Sequence, residues 1–203
     1  MKKISNVLSY IFSPLFIPTY GMILASYLSL LVLLPSSVLW TTITIIFIIT
    51  CVIPATGILA MYRTGLVSDP ALNDRTERTV PYVLVVLCYL GGCLFLYRAS
   101  APAWLYMFFA GGAVAGAISA IVNRWWKISA HAAGMGGLVA MMFSMASSQY
   151  ALHSLDIWIS VAIILTGMVM TARVYLDRHT LMQVMAGAAN GFVCVWLLSM
   201  LSL

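Results

Sequence analysis

The twelve residues ARVYLDRHTLMQ, Ala172–Gln183, separate two long apolar runs, 155–172 and 181–202. They set Arg173 six residues before His179, and Gln183 four residues after it. Ionisable side chains are costly at a bilayer and persist there mainly where they face a polar site or do work. Residues four apart share a helix face, so Gln183 can reach the ring of His179. A side-chain carbonyl that accepts from one ring nitrogen fixes the tautomer and leaves the other nitrogen free as a nucleophile. Arg173, ahead of the next helix start, can offer a forked and permanent charge to phosphoryl oxygens. A cationic membrane edge with one interfacial histidine would use the same residues, and this stretch alone leaves both possibilities open.

The surroundings decide the fold class. The chain is 63% hydrophobic and 7% charged, whereas soluble domains have about 45–50% apolar and about 25% charged residues. Lipid is therefore the solvent, and backbone groups must be satisfied within helices or a closed barrel. The apolar runs are long and lack strand alternation, which predicts an all-α, polytopic transmembrane helical bundle. A spanning helix needs about 20 apolar residues. Seven runs qualify: 11–34, 38–62, 80–97, 102–122, 131–149, 155–172 and 181–202. Pro14 and Pro18 make the first a kinked or partly interfacial segment, so the expected count is six to seven spans. Connections are short, and 1–203 reads as a single integral membrane domain. Met1-Lys2-Lys3 reads as the flank of a retained first helix, without the small-residue pattern of a cleaved signal.

Counting crossings puts the connections 63–79, 123–130 and 173–180 on one side of the membrane. With Lys2 and Lys3, nine of the ten cations fall there, and only Arg98 lies opposite. The net charge of +5 thus comes from run ends and offers no nucleic-acid surface. The positive-inside rule places that face and the N-terminus in the cytoplasm, with Leu203 outside, in a cell (inner) membrane. Trp40, Trp104 and Trp158 are expected at one interface, Trp125 and Trp126 at the other. The pairs Gly112/Gly116 and Gly187/Gly191 permit close helix approach inside the bundle. Cys51, Cys88, Cys93 and Cys194 sit in apolar runs without metal-ligand spacing, so no metal and no cofactor are expected. The methionines read as apolar filler.

Two further polar clusters share the charged side. In KISAHAAG, Lys127–Gly134, Ser129 stands where a helix N-cap would, and helix N-termini favour anions. His131 beside it could give a proton to a leaving oxygen. A simple cap with a snorkelling lysine is the plain alternative. In NDRTERTVP, Asn73–Pro81, Arg75 and Arg78 lie three apart beside Asp74 and Glu77, as a phosphate clamp or as a solvated loop with local ion pairs. His153 lies on the far side and reads as incidental.

At these residues the chain resembles the type 2 phosphatidic acid phosphatase superfamily. That family carries Lys-x6-Arg-Pro, then Pro-Ser-Gly-His, then Ser-Arg-x5-His-x3-Asp. Arg173-x5-His179 matches the third motif in spacing, and Ser129-Ala130-His131 matches the core of the second. Arg75-x2-Arg78-x2-Pro81 is a loose equivalent of the first. Ala172 stands in place of a serine, Gln183 of an aspartate, Ile128 of a proline and Ala130 of a glycine, which marks a divergent branch. The resemblance implies a metal-independent lipid phosphate phosphatase acting on a monoester or diphosphate through a phosphohistidine. It implies His179 as nucleophile, Gln183 as its orienting partner and His131 as acid and base. Arg173, Arg75, Arg78, Lys127 and Ser129 are then expected to hold the phosphoryl oxygens. The expected partners are the bilayer and a lipid phosphate; the oligomeric state is open. A phosphotransferase of the same fold, or a non-enzymatic small transporter or lipid-binding protein, is the alternative.

Overall fold

A break at Phe12–Phe16 divides the first apolar run. The computed structural model describes residues 1–201, and Ser202 and Leu203, including the end of run 181–202, lie outside the described residues. Helix α1 (Lys2–Ile11) precedes the break and α2 (Ile17–Leu28) follows it, with a short 3-10 turn at Leu30–Leu33. The kinked or partly interfacial segment expected at 11–34 takes this form. Pro14 falls in the break, and Pro18 sits in the first turn of α2, where its missing N–H costs nothing.

Helices α3 (Ser36–Phe47) and α4 (Ile53–Arg63) form one 28-residue rod through a π turn at Ile48–Val52. Pro54 follows directly, and the widened turn accommodates a residue that cannot donate back along the rod. The rest are α5 (Thr79–Arg98), α6 (Ala103–Val122), α7 (Ala130–Ser147), α8 (Asp156–Tyr175) and α9 (Leu181–Met200). Among the described residues the fold is all-helical, apart from one isolated bridge between Ser29 and Ala151. Five rods are long and apolar enough to cross a membrane: α3–α4, α5, α6, α8 and α9. The chain is an integral membrane protein. Against the expected six to seven spans, α2 and α7 are the two short members.

These short helices fill the interior. In α7 the residues Met135, Met141, Met142 and Met145 are wholly buried against Trp104, Phe108 and Phe109 of α6. α2 runs beside α7 in the same direction. A Cβ on Gly134 would meet Ile17, one on Gly21 would meet Met141, and Leu30 N–H bonds to Tyr150 O at 2.8 Å beyond the far end of α7. The segment 12–34 therefore traverses the bundle once. α1 and the turns before α5, before α7 and before α9 share one end. Trp104, expected at an interface, is 1% exposed and belongs to the core; Trp40, Trp158 and Trp125 do face outward.

The tightest joint lies between α7 and α9. A Cβ on Gly187 would sit 2.5 Å from Ser129 O, and one on Gly191 would sit 1.8 Å from Ala133 O. The two backbones touch without intervening side chains, and Ser129 N–H bonds to Gln183 O at 3.3 Å. The N-termini of both helices are thereby fixed side by side. Gly112 packs likewise, against Tyr89 of α5, so both glycine pairs are used inside the bundle.

Gly191→Ala should lower stability by about 1–3 kcal/mol through overpacking, read as a fall in Tm of the detergent-solubilised protein. Gly167→Ala, where nothing lies within 4 Å of the added carbon, should leave Tm unchanged or raise it.

Candidate active site

The charged turns meet at a cavity of ≈ 320 Å³ at this end of the bundle. Arg78, His131, Arg173, Arg178 and His179 all line it, together with Asn6 and Ser9 of α1 and the loop Pro70–Asn73. No Asp or Glu is among its lining residues. Asp74 accepts from Thr76 N–H and Oγ1–H at 2.8 Å each. Glu77 accepts from Ser68 N–H at 2.9 Å and from its hydroxyl at 3.0 Å. Both carboxylates are thus engaged within their own loop; Asp74 offsets part of the charge of Arg78 from there, and the charged groups of the cavity wall itself are all cationic. Such a wall attracts anions.

The spacing of Arg173 and His179 follows from how α8 ends. Leu176 is the C-cap, and Asp177 takes φ +54. Arg178 N–H bonds to Arg173 O at 3.1 Å, and Asp177 N–H bonds to Val174 O at 2.9 Å. This is the Schellman pattern with an aspartate at the left-handed position. It reverses the chain within one turn, so the last turn of α8 and the residue before α9 face the same space. The Nε of Arg173 is buried with no partner among the described residues. A buried donor left unpaired is costly, and here it borders a cavity that an anion would fill.

His179 is 7% exposed. Its Nδ1–H donates to Gln183 Oε1 at 3.3 Å, and the same oxygen accepts from Thr180 N–H at 3.1 Å. Thr180 returns the contact by accepting from Gln183 N–H at 3.4 Å. The pair is a capping box at the start of α9. The glutamine therefore does two jobs, closing the helix end and setting the tautomer that leaves Nε2 of His179 free. Burial, then the charges of Arg78, Arg173 and Lys127, push the ring's pKa down to about 3, against a smaller upward pull from the Gln183 bond. The resting ring is neutral, as a nitrogen nucleophile must be.

His131 occupies the first turn of α7, after Ser129 at the N-cap. Its Nε2–H donates to Ser9 O of α1 at 3.1 Å. The buried Ser129 hydroxyl accepts from Ala132 N–H at 3.3 Å and lies outside the cavity lining. Lys127 is outside it too, yet within the same field. Burial first, then Arg78, Arg173 and Arg178, hold its ammonium below the usual lysine range.

The two arginines of the loop before α5 diverge. Arg78 is 7% exposed, lines the cavity and donates from Nε to Leu72 O at 2.7 Å. Arg75 turns away, donating to Asn123 O at 3.3 Å and Arg124 O at 2.5 Å, while Asn123 Nδ2 returns a bond to Arg75 O at 2.7 Å. This reciprocal clamp ties the loop before α5 to the turn before α7. Of the residues singled out from sequence, the cavity collects His179, His131, Arg173 and Arg78. Gln183 touches it through His179, and Arg75, Lys127 and Ser129 flank it. Unforeseen were Arg178, Tyr82 and the contribution of α1.

The fold and site together define a helical membrane protein with a positively charged, histidine-bearing cavity at one end of the bundle. The family model for the PAP2 superfamily matches residues 125–202, consistent with a PAP2-type phosphatase. The matched segment carries Lys127, Ser129, His131, Arg173, His179 and Gln183. No curated protein and no solved structure matches the chain.

In protein labelled with 15N-histidine, the ring of His179 should stay neutral from about pH 8 down to about pH 5, where an unperturbed histidine with pKa of about 6.5 would have charged. Because Arg173 is one of the depressing charges, Arg173→Gln should move the midpoint upward. A wild-type midpoint near the ordinary value would contradict the burial and charge described here.

Proposed function

We propose that the chain hydrolyses a lipid phosphate monoester or diphosphate at the membrane interface through a phosphohistidine. One observation carries this reading: two histidines and three arginines from separate elements converge on a cavity whose lining holds no carboxylate. Phosphoryl transfer depends mostly on positioning and on charge stabilisation around the equatorial oxygens. Arg173, with its unpaired Nε, and Arg78 hold those oxygens, and Lys127 adds to the field. Ser129 and Arg75 support them by capping α7 and by tying the two turns together.

In the first step Nε2 of His179 attacks phosphorus. An N–P bond forms, the P–O bond to the leaving group breaks, and His131 passes to the departing oxygen a proton taken from the bound substrate's own phosphate monoanion. In the second step His131 takes a proton from water, whose oxygen attacks phosphorus and breaks the N–P bond, and gives that proton to the departing phosphate. Apolar walls from Leu15, Ile58, Pro81 and Val85 suit the first methylenes of a lipid tail whose remainder lies in the bilayer. The site faces the cytoplasm in this proposal. Apart from site residues, Lys2, Lys3, Arg63 and Arg124 flank this end against Arg98 at the other.

Purified protein should release inorganic phosphate from one member of a panel of phosphatidic acid, phosphatidylglycerophosphate and polyprenyl diphosphate. The assay is run with and without EDTA, and transfer to an added alcohol instead of water would mark a phosphotransferase. His179→Ala should abolish turnover with folding intact, and full activity in that variant would remove the nucleophile. Gln183→Leu should cost roughly ten- to a hundredfold in rate, as losses of orienting partners do elsewhere.

Single cysteines placed near Asn73 and near Ser100 in a cysteine-free background test the orientation. On intact cells, an impermeant thiol reagent should label the second and spare the first.

A further inference from the structure

The helix α1 is amphipathic in an inverted sense. Its buried residues are Ser5 and Ser9, while Ile4, Val7 and Ile11 are exposed, as are Lys2 and Lys3. In a water-soluble protein such a helix would lie the other way round. At a membrane interface the apolar flank rests among lipid, and the serine flank is turned to the protein. α1 packs against α8, and Asn6 and Ser9 enter the cavity wall that Arg173 also lines. Ser9 Oγ is buried with no partner among the described residues.

The backbone of the same residue makes the decisive contact. His131 Nε2 lies 3.1 Å from Ser9 O. A carbonyl can only accept, so Nε2 carries the proton. Nδ1 makes no hydrogen bond among the described residues. Each histidine is then held at one nitrogen by a neutral carbonyl oxygen: His179 at Nδ1 by Gln183, His131 at Nε2 by Ser9.

We propose that α1, which lies outside the segment matched by the family, is a working part of the active site: the Ser9 carbonyl is the positioning group of His131 and commits that ring to transfer protons through Nδ1. When Nδ1 takes up a proton from the bound phosphate monoanion and gives it to the leaving oxygen, the Nε2–H···O=C bond supports the imidazolium, and it persists when Nδ1 is bare again. The proposal rests on the phosphohydrolase reading above.

The test compares two substrates in the full chain. Dioctanoyl phosphatidic acid has a poor leaving group and needs the acid; p-nitrophenyl phosphate has a good one and needs it little. Ser9→Pro breaks α1 next to the contact, and Val7→Pro breaks it from the exposed side without touching the cavity wall. Both should lower kcat for the first substrate about ten- to a hundredfold, the range for lost orienting partners, and leave the second within about threefold. In a His131→Ala background neither should add a further loss, because groups acting as a unit are not additive. Equal losses for both substrates, full additivity with His131→Ala, or a gain in activity would overturn the proposal. Should the proline variants fail to fold, 15N shifts of the unmutated protein decide it: His131 must be the Nε2–H tautomer, and the Nδ1–H form would overturn it. That measurement needs no substrate. An inactive wild type would therefore end the phosphohydrolase reading while the tautomer still reported on the contact.

Discussion

Backbone contact between α7 and α9 is the constraint on which the site depends. Gly191 leaves room for Ala133 O, and Gly187 for Ser129 O. Because no side chain stands between the helices, their first turns are fixed relative to each other. One of those turns carries His131, and the other follows His179. The small residues of KISAHAAG are what such proximity requires, which gives the motif a packing reason beside its chemical one. Membrane helices pack by this means because lipid supplies no hydrophobic drive between them.

The second organising element is an excess of positive charge at the cavity wall. Arg78, Arg173 and Arg178 face one cavity, while the nearby carboxylates of Asp74 and Glu77 are occupied by serine and threonine donors. The cations act on His179 as well as on any anion: they help keep its ring neutral. A bound dianion would offset the same charges, so occupancy and protonation at this site are linked. The neutral Gln183 fits this arrangement, since it orients the ring without adding a negative charge to a wall that holds none.

Helix ends were legible to within a few residues where punctuation is strong. The run 102–122 became Ala103–Val122, bounded by Pro102 and Asn123, and Ser129 and Thr180 both proved to be N-caps. The kink in the first run was legible from Pro14 and Pro18, but the hydropathy pattern did not show that α1 begins as a separate helix before it. Trp104 misled because an indole near a run end reads as an interfacial anchor, and only tertiary packing shows it covered. Of Arg75 and Arg78, sequence could not say which faces the cavity; the short 3-10 turn at Thr76–Arg78 decides that. Ser9 was invisible for a simpler reason. It contacts His131 through a backbone carbonyl, a group that every residue carries.

The side-chain-free joint between α7 and α9 also divides the cavity wall into moving and unmoving parts. Rotamer changes cannot loosen a contact made by backbone atoms, so the histidine-bearing turns travel as one rigid body. The clamp between Arg75 and Asn123 extends that body to the loop before α5. α1 joins that wall differently: it packs against α8, meets His131 through a single hydrogen bond and shows its apolar flank outward. The cavity wall thus has one part set by backbone contact within the bundle and another, α1, whose outer flank is shaped to rest against lipid.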